Sequence, residues 1–167
     1  MVISIAVIGD THVLKFNQIP LELLEVIEQA DWLIHVGDYT RLDVLEGFFK
    51  LKGSKFIGVC GNADSLEITR RLKKIETVTI QGKTIGITHP YRGGPDHFTK
   101  QIVLTLFKHK KWDILIYGHT HEVNVEKIKN KVLINPGKGY LNHSSASLVL
   151  LSLSTELSIE MLEFKPS

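Results

Sequence analysis

Residues 112–121 read WDILIYGHTH. The apolar run ILIY is short and unbroken, as in a strand buried on both faces, and Gly118 then releases the chain into two histidines one residue apart. A strand that surfaces in this way delivers His119 and His121 to the carboxyl end of a sheet, where open α/β folds place their ligands. The reading of the whole chain turns on whether other strands end likewise.

They do. Upstream, ISIAVIG runs into Asp10 and His12, DWLIHVG into Asp38, and KFIGVCG into Asn62 and Asp64. The β-rich pair ETVTIQGKTIGITH, with a hairpin turn at Gln81-Gly82-Lys83, ends on His89. In four of these five clusters a glycine directly precedes the first polar residue, as a tight turn requires. Any one cluster is explicable as a helix cap or a satisfied histidine. Seven acidic, amide and imidazole side chains on one sheet edge are electrostatically costly unless a cation is bound among them.

Between the strands lie helical patterns. PLELLEVIEQA spaces Leu23, Leu24, Ile27 and Ala30 for one face, LDVLEGFFK does so with Leu42, Leu45 and Phe49, and SLEITRRLKK is a further short helix. DHFTKQIVLTLFKHK is expected to face a core with Phe98, Ile102 and Leu106. VNVEKIKNKVLINPG alternates about a Lys129-Asn130 turn, and SASLVLLSLS and LSIEMLEF add two strands. The first half predicts three parallel strands and the second a mostly antiparallel sheet. Two sheets packed face to face with helices outside would bury both patterns.

Length and composition bound the alternatives. The 167 residues suit a single domain spanning 1–167, and 43% hydrophobic with 23% charged residues excludes a disordered or fibrous chain. No stretch reaches the roughly 18 apolar residues of a membrane span, and no signal peptide is legible, so the expected location is the cytoplasm. One cysteine, Cys60, excludes an internal disulfide and a cysteine-rich zinc module. The net charge of +2 gives no strong nucleic-acid-binding signature, and KHKKW at 108–112 reads as the cationic end of a helix.

Oxygen and imidazole donors without thiolate suit Mn²⁺, Fe²⁺, Zn²⁺ or Ni²⁺ rather than Cu(I). Thr120 separates the directions of His119 and His121, so each can serve a different ion of a close pair. Two divalent ions against the carboxylates of Asp10 and Asp38 leave a net positive charge that attracts a phosphate ester.

The order D-x-H, GD, GN, a histidine after a strand, and G-H-x-H resembles the calcineurin-like metallophosphoesterase superfamily, and within it the small YfcE-type phosphodiesterases. The resemblance covers essentially the whole chain. It implies a four-layer α/β/β/α sandwich of two mixed β-sheets. It implies one metal at Asp10, His12, Asp38 and His121, and another at Asp38, Asn62, His89 and His119, with Mn first and Ni, Fe, Zn or Mg as alternatives. It implies in-line attack on phosphorus by a metal-bridging hydroxide, with Asp38, Asn62 and His89 in catalytic positions, and a homodimer.

The chain departs from the family pattern where Ala63 replaces a histidine associated with leaving-group protonation, which favours small phosphate diesters over monoesters. THPY replaces T-H-G-H, so the substrate pocket is expected to draw on Tyr91, Arg92 and His97. Asp64 and Asn135 are expected to orient the ligands, and His35 to make a buried hydrogen bond. The alternatives are a phosphomonoesterase and a protein-interaction scaffold, because THVLKFNQIPLELLEVI (11–27) is similar to the retromer subunit of this fold.

Overall fold

In the first strand, β1 (Ile3–Ile8), Ile5 and Val7 face one way and Ala6 and Ile8 the other, and all four are fully buried. A strand covered on both faces needs a layer on each side, and the computed structural model, which describes residues 1–91 and 96–167, supplies them.

One sheet contains β1, β2 (Trp32–His35), β3 (Phe56–Gly58), β9 (Ala146–Leu153) and β10 (Leu157–Phe164), in the order β10, β9, β1, β2, β3. β1, β2 and β3 are parallel, as expected, while β9 runs antiparallel to β1 and to β10. The other sheet contains β4 (Ile75–Ile80), β5 (Lys83–Thr88), β6 (Ile114–Tyr117), β7 (Val123–Ile128) and β8 (Lys131–Pro136), in the order β4, β5, β6, β8, β7. Its two hairpins are antiparallel, but β5, β6 and β8 at its centre run parallel, so both sheets are mixed.

Ile5, Val7, Ile34 and Val149 of the first sheet meet Ile85, Ile87, Ile114, Ile116 and Ile134 of the second to form the central core. Outside the first sheet lie α1 (Leu21–Gln29), α2 (Leu42–Lys52) and α3 (Leu66–Arg71), whose Leu23, Ile27, Leu45, Phe48 and Ile68 cover Ala6, Ile8 and Leu33. Outside the second lies α4 (Thr99–Leu106), with Val103 and the following Phe107 over Leu115, Tyr117 and Leu133. The layers are helix, sheet, sheet, helix.

Two helix faces differ from expectation. α2 buries Val44, Leu45 and Phe48, leaving Leu42 half-buried and Phe49 exposed with its edge against Phe56. The face expected as Phe98, Ile102 and Leu106 is Thr99, Val103 and Phe107. Both sets follow the i, i+4 rule, and adjacent apolar pairs such as Ile102-Val103 make the choice degenerate in sequence. Phe98 closes a 3-10 turn before α4 and is exposed. The KHKKW cluster lies in the turn beyond α4, not in its last turn.

Candidate metal centre

Every strand whose end was expected to carry donors does so on the same edge of the sandwich. Asp10 and His12 follow β1, Asp38 follows β2, Asn62 follows β3, His89 follows β5, and His119 and His121 follow β6. Backbone hydrogen bonds fasten the turns together. Asp10 N–H donates to the Gly37 carbonyl at 2.9 Å, and Thr11 N–H to that of Asp38 at 3.1 Å.

The turns hold the side chains in two groups. Asp10, His12, Asp38 and His121 each offer a ligand atom, all within 4.8 Å of one another. His12 Nε2 lies 3.2 Å from Asp38 Oδ2, and His121 Nε2 lies 3.3 Å from Asp10 Oδ1. In the second group, Asn62 Oδ1 lies 3.0 Å from both His89 Nε2 and His119 Nδ1, and Asp38 Oδ2 is 3.4 Å from His89 Nε2. His119 and His121 therefore diverge to different groups, as their spacing suggested.

The residues fit a divalent ion on several counts. Donor atoms about an ion with bonds of ~2.1 Å stand roughly 3.0–3.4 Å apart, the spacing of the named contacts in both groups, while His12 Nε2 and Asp10 Oδ1 stand wider at 3.6 Å. Asp10 Oδ1 and His12 Nε2 are buried without a hydrogen-bond partner, an arrangement that is costly unless something else engages them. His89 Nδ1–H donates to the Val36 carbonyl at 2.8 Å, so Nε2 is the ring nitrogen that faces Asn62 Oδ1 and Asp38 Oδ2. Two side-chain oxygens and an imidazole nitrogen converging there are a donor set suited to a divalent cation.

The backbone is strained at the same place. Asp10, His12, Asp38, His119 and His121 have φ of 49°, 41°, 61°, 95° and 61°, a left-handed region costly to residues with a side chain.

The charges are shifted accordingly. Burial alone would raise Asp10, but the nearby imidazoles of His12 and His121, with the charge of His89, hold its carboxyl far below the usual range. Burial would lower His12, yet Asp10 and Asp38 outweigh it and hold the imidazole up to about 9 without metal. Burial, helped by His89, pushes His119 down, favouring the neutral form that can serve as a donor.

Asp64 stands behind the donors. Its carboxylate accepts N–H bonds from Asp38 at 3.1 Å, Thr40 at 2.8 Å and Gly61 at 2.6 Å, tying the second and third turns together. Asn135 Nδ2 donates to Thr120 Oγ1 at 3.0 Å, between the two histidines, and its Oδ1 accepts from Gly137 N–H. His35 is fully buried and hydrogen-bonded to Thr11 and Gly37. Tyr91 is exposed with its ring 5.3 Å from that of His119, and His97 is exposed against Phe98. Arg92 lies outside the described residues.

Three neighbours of the site escaped the sequence reading. Asp96 approaches His119 at 3.7 Å, while Tyr140 sets its ring 5.8 Å from His12 and 6.1 Å from His121. Lys138 lies over Tyr140. The last two belong to the segment INPGKGY, which leads out of the end of β8 and was the available signal.

A two-sheet sandwich whose strand ends converge on acidic, amide and imidazole donors defines a class of metal-site hydrolase folds. Residues 3–156 match the calcineurin-like phosphoesterase superfamily domain, and the chain belongs to that superfamily. A probable metallophosphoesterase of Methanocaldococcus jannaschii is 31% identical over 134 residues, covering 80% of this chain and 66% of that relative. A phosphodiesterase of the same archaeon is 28% identical, with 83% of this chain and 86% of the relative covered. Vacuolar protein sorting 29 of Cryptosporidium parvum shares the fold with a TM-score of 0.75 over 99% of both chains at 19% identity.

Proposed function

We propose that the chain is a phosphodiesterase acting on small phosphate diesters at a centre of two divalent ions, with Mn²⁺ first among the candidates and Ni, Fe, Zn or Mg as alternatives. The observation that carries this reading is the position of Asp38, whose Oδ2 lies within 3.4 Å of a histidine of each donor group. Asp10, His12 and His121 complete one site, and Asn62, His89 and His119 the other. When bound, the ions supply charge to neutralise the phosphoryl oxygens and acidify a water for attack.

The chain's own contribution is placement. Asn62 adds a donor without adding negative charge, and the His89 Nδ1–H bond to Val36 fixes which nitrogen faces the centre. Asp64 holds the Asp38 and Gly61 turns in register.

A diester is favoured over a monoester because Ala63 puts no proton donor beside Asn62. Its backbone N–H instead donates to Asp38 Oδ1 at 2.8 Å. A role solely as a scaffold would not require five donor residues in left-handed conformations. Among the described residues no helix is long and apolar enough to cross a membrane, and Cys60 is a buried free thiol, in keeping with the cytoplasm.

The test is hydrolysis of bis-p-nitrophenyl phosphate and p-nitrophenyl phosphate by metal-stripped protein resupplied with Mn²⁺, Ni²⁺, Zn²⁺ or Mg²⁺. Metal-restored turnover that favours the diester is the expected result. Stoichiometric metal binding with no turnover of either ester would overturn the reading.

A further inference from the structure

Beside the donor cluster lies a cavity lined by His121, Val123, Lys138, Ser144, Met161 and Glu163, among others. His121 is shared by the cluster and the cavity, so a group held at one is adjacent to the other. Val123 and Met161 supply an exposed apolar wall.

Lys138 is out of the ordinary for a lysine. Only 9% of its surface is exposed, and it forms no ion pair with a carboxylate among the described residues. Glu163, the acidic residue of the lining, does not approach it within ion-pair distance. The ammonium donates to Asn142 Oδ1 at 2.5 Å and lies 4.3 Å from the centre of the Tyr140 ring. An ammonium has three N–H donors, so the Asn142 bond leaves capacity for an anion. Burial also pushes its pKa down.

The backbone registers this lysine against the metal-binding turns. Gly139 N–H donates to the carbonyls of Gly9 at 2.8 Å and Asp10 at 3.2 Å, and the Lys138 carbonyl accepts from Ser147 N–H at 2.9 Å. A Cβ on Gly139 would stand 2.8 Å from Thr11 Cγ2 and 3.1 Å from the Gly9 carbonyl, so a larger residue would crowd this approach. The Tyr140 ring neighbours the His12 and His121 rings at 5.8 and 6.1 Å and the Lys138 ammonium at 4.3 Å. Asn142 Oδ1 also accepts from the Ser144 N–H and hydroxyl, which fixes the far side of the loop.

We propose that Lys138 is an anion subsite, so that the diester hydrolysed here carries a second anionic group, a phosphate or a carboxylate, on the substituent that enters the Val123–Met161 cavity. This rests on the phosphodiesterase reading and narrows its substrate class. The scissile phosphate occupies the donor cluster, and the second anion is held by the ammonium in the cavity that His121 and Lys138 both line.

The test compares p-nitrophenyl esters of thymidine 5′-phosphate that carry a free 3′-hydroxyl, a 3′-phosphate or a 3′-O-succinyl carboxylate. Alongside, calorimetry on the Mn²⁺-loaded protein compares thymidine 3′,5′-bisphosphate with thymidine 5′-phosphate. The wild type is expected to show a KM about tenfold or more lower for an anionic ester than for the hydroxyl ester, and the same preference in binding. The phosphate and succinyl arms show which anion is taken.

Lys138→Met is expected to bring both ratios near one, and Lys138→Arg to retain a preference. Equal KM values in the wild type, or a preference that survives Lys138→Met, would overturn the subsite and leave the phosphodiesterase reading standing. A binding preference with no hydrolysis of any ester would do the reverse. The wild-type ratios decide the matter even if a variant does not fold.

Discussion

Asp38 Oδ2 lies 3.4 Å from His89 Nε2, a contact that joins the donors on the first sheet to those on the second. The same oxygen is 3.2 Å from His12 Nε2, so one carboxylate is common to both groups. Asp38→Asn is therefore expected to weaken metal binding in both groups and to lower diester turnover by about 100-fold or more. Metal content of the purified variant and its rate on bis-p-nitrophenyl phosphate check this. Unchanged metal and rate would remove Asp38 from the centre.

Gly61 gives that carboxylate its room. A Cβ there would lie 2.1 Å from Asp38 Oδ1 and 2.6 Å from its backbone nitrogen. Gly61→Ala is expected to displace Asp38 and cost roughly 1–3 kcal/mol in stability through overpacking. Titration with Mn²⁺, set beside urea unfolding, would show metal affinity falling by about tenfold or more.

On the proposed ligand assignment, His12 ties metal affinity to pH. Asp10 and Asp38 overcome the effect of burial and raise this imidazole to about 9 in the metal-free chain, so an ion must displace a proton at neutral pH. Affinity should rise by up to about tenfold per pH unit from pH 7 toward 9, with proton release on binding. Calorimetry at pH 7, 8 and 9 in buffers of different ionisation enthalpy measures both, and flat affinity without proton release would exclude the displacement.

His35 makes the fold acid-sensitive. Burial lowers its pKa from 6.5 to about 3, and Gly37 N–H donating to Nδ1 leaves that nitrogen no place for a proton. Below 6.5 the unfolded chain takes up a proton that the folded chain refuses, so this contribution is present above 6.5 and is lost as pH falls toward 3. Between pH 6.5 and 5 the loss amounts to roughly 2 kcal/mol. Urea unfolding at the two pH values should show it, and His35→Gln should lack this slope even if less stable throughout.

The α4 face can be checked directly. Phe107 is 1% exposed and Phe98 53%. Phe107→Ala is expected to cost about 3–5 kcal/mol, and Phe98→Ala about 0.5 kcal/mol or less, in chemical denaturation. The opposite ranking would restore the face that the sequence alone suggested.

The sandwich and its donor edge were legible because their signals are local. A β-rich run followed by glycine and a polar residue occurs at Asp10, Asp38, Asn62 and His119, and periodicity alone distinguishes the helices from the strands between them. The parallel pairing of β6 with β5 and β8 was not legible, because β7 turns back as a hairpin and hides which strand β6 meets. Nor was the helix face of Val103 and Phe107, where neighbouring apolar residues satisfy the same spacing. Lys138 went unread for a related reason: nothing in a lone lysine announces burial, and its place depends on Gly139 meeting Gly9 across the fold.

β1 lies between two strands of very different origin. Ile5 pairs with Trp32 on one side and with Leu151 on the other. During synthesis its second neighbour emerges long after the first, leaving an apolar strand with an open edge for most of translation. The turn that carries Asp10 and His12 is fastened from the late side too, through Gly139. A nascent chain stalled before β9 therefore exposes an adhesive edge.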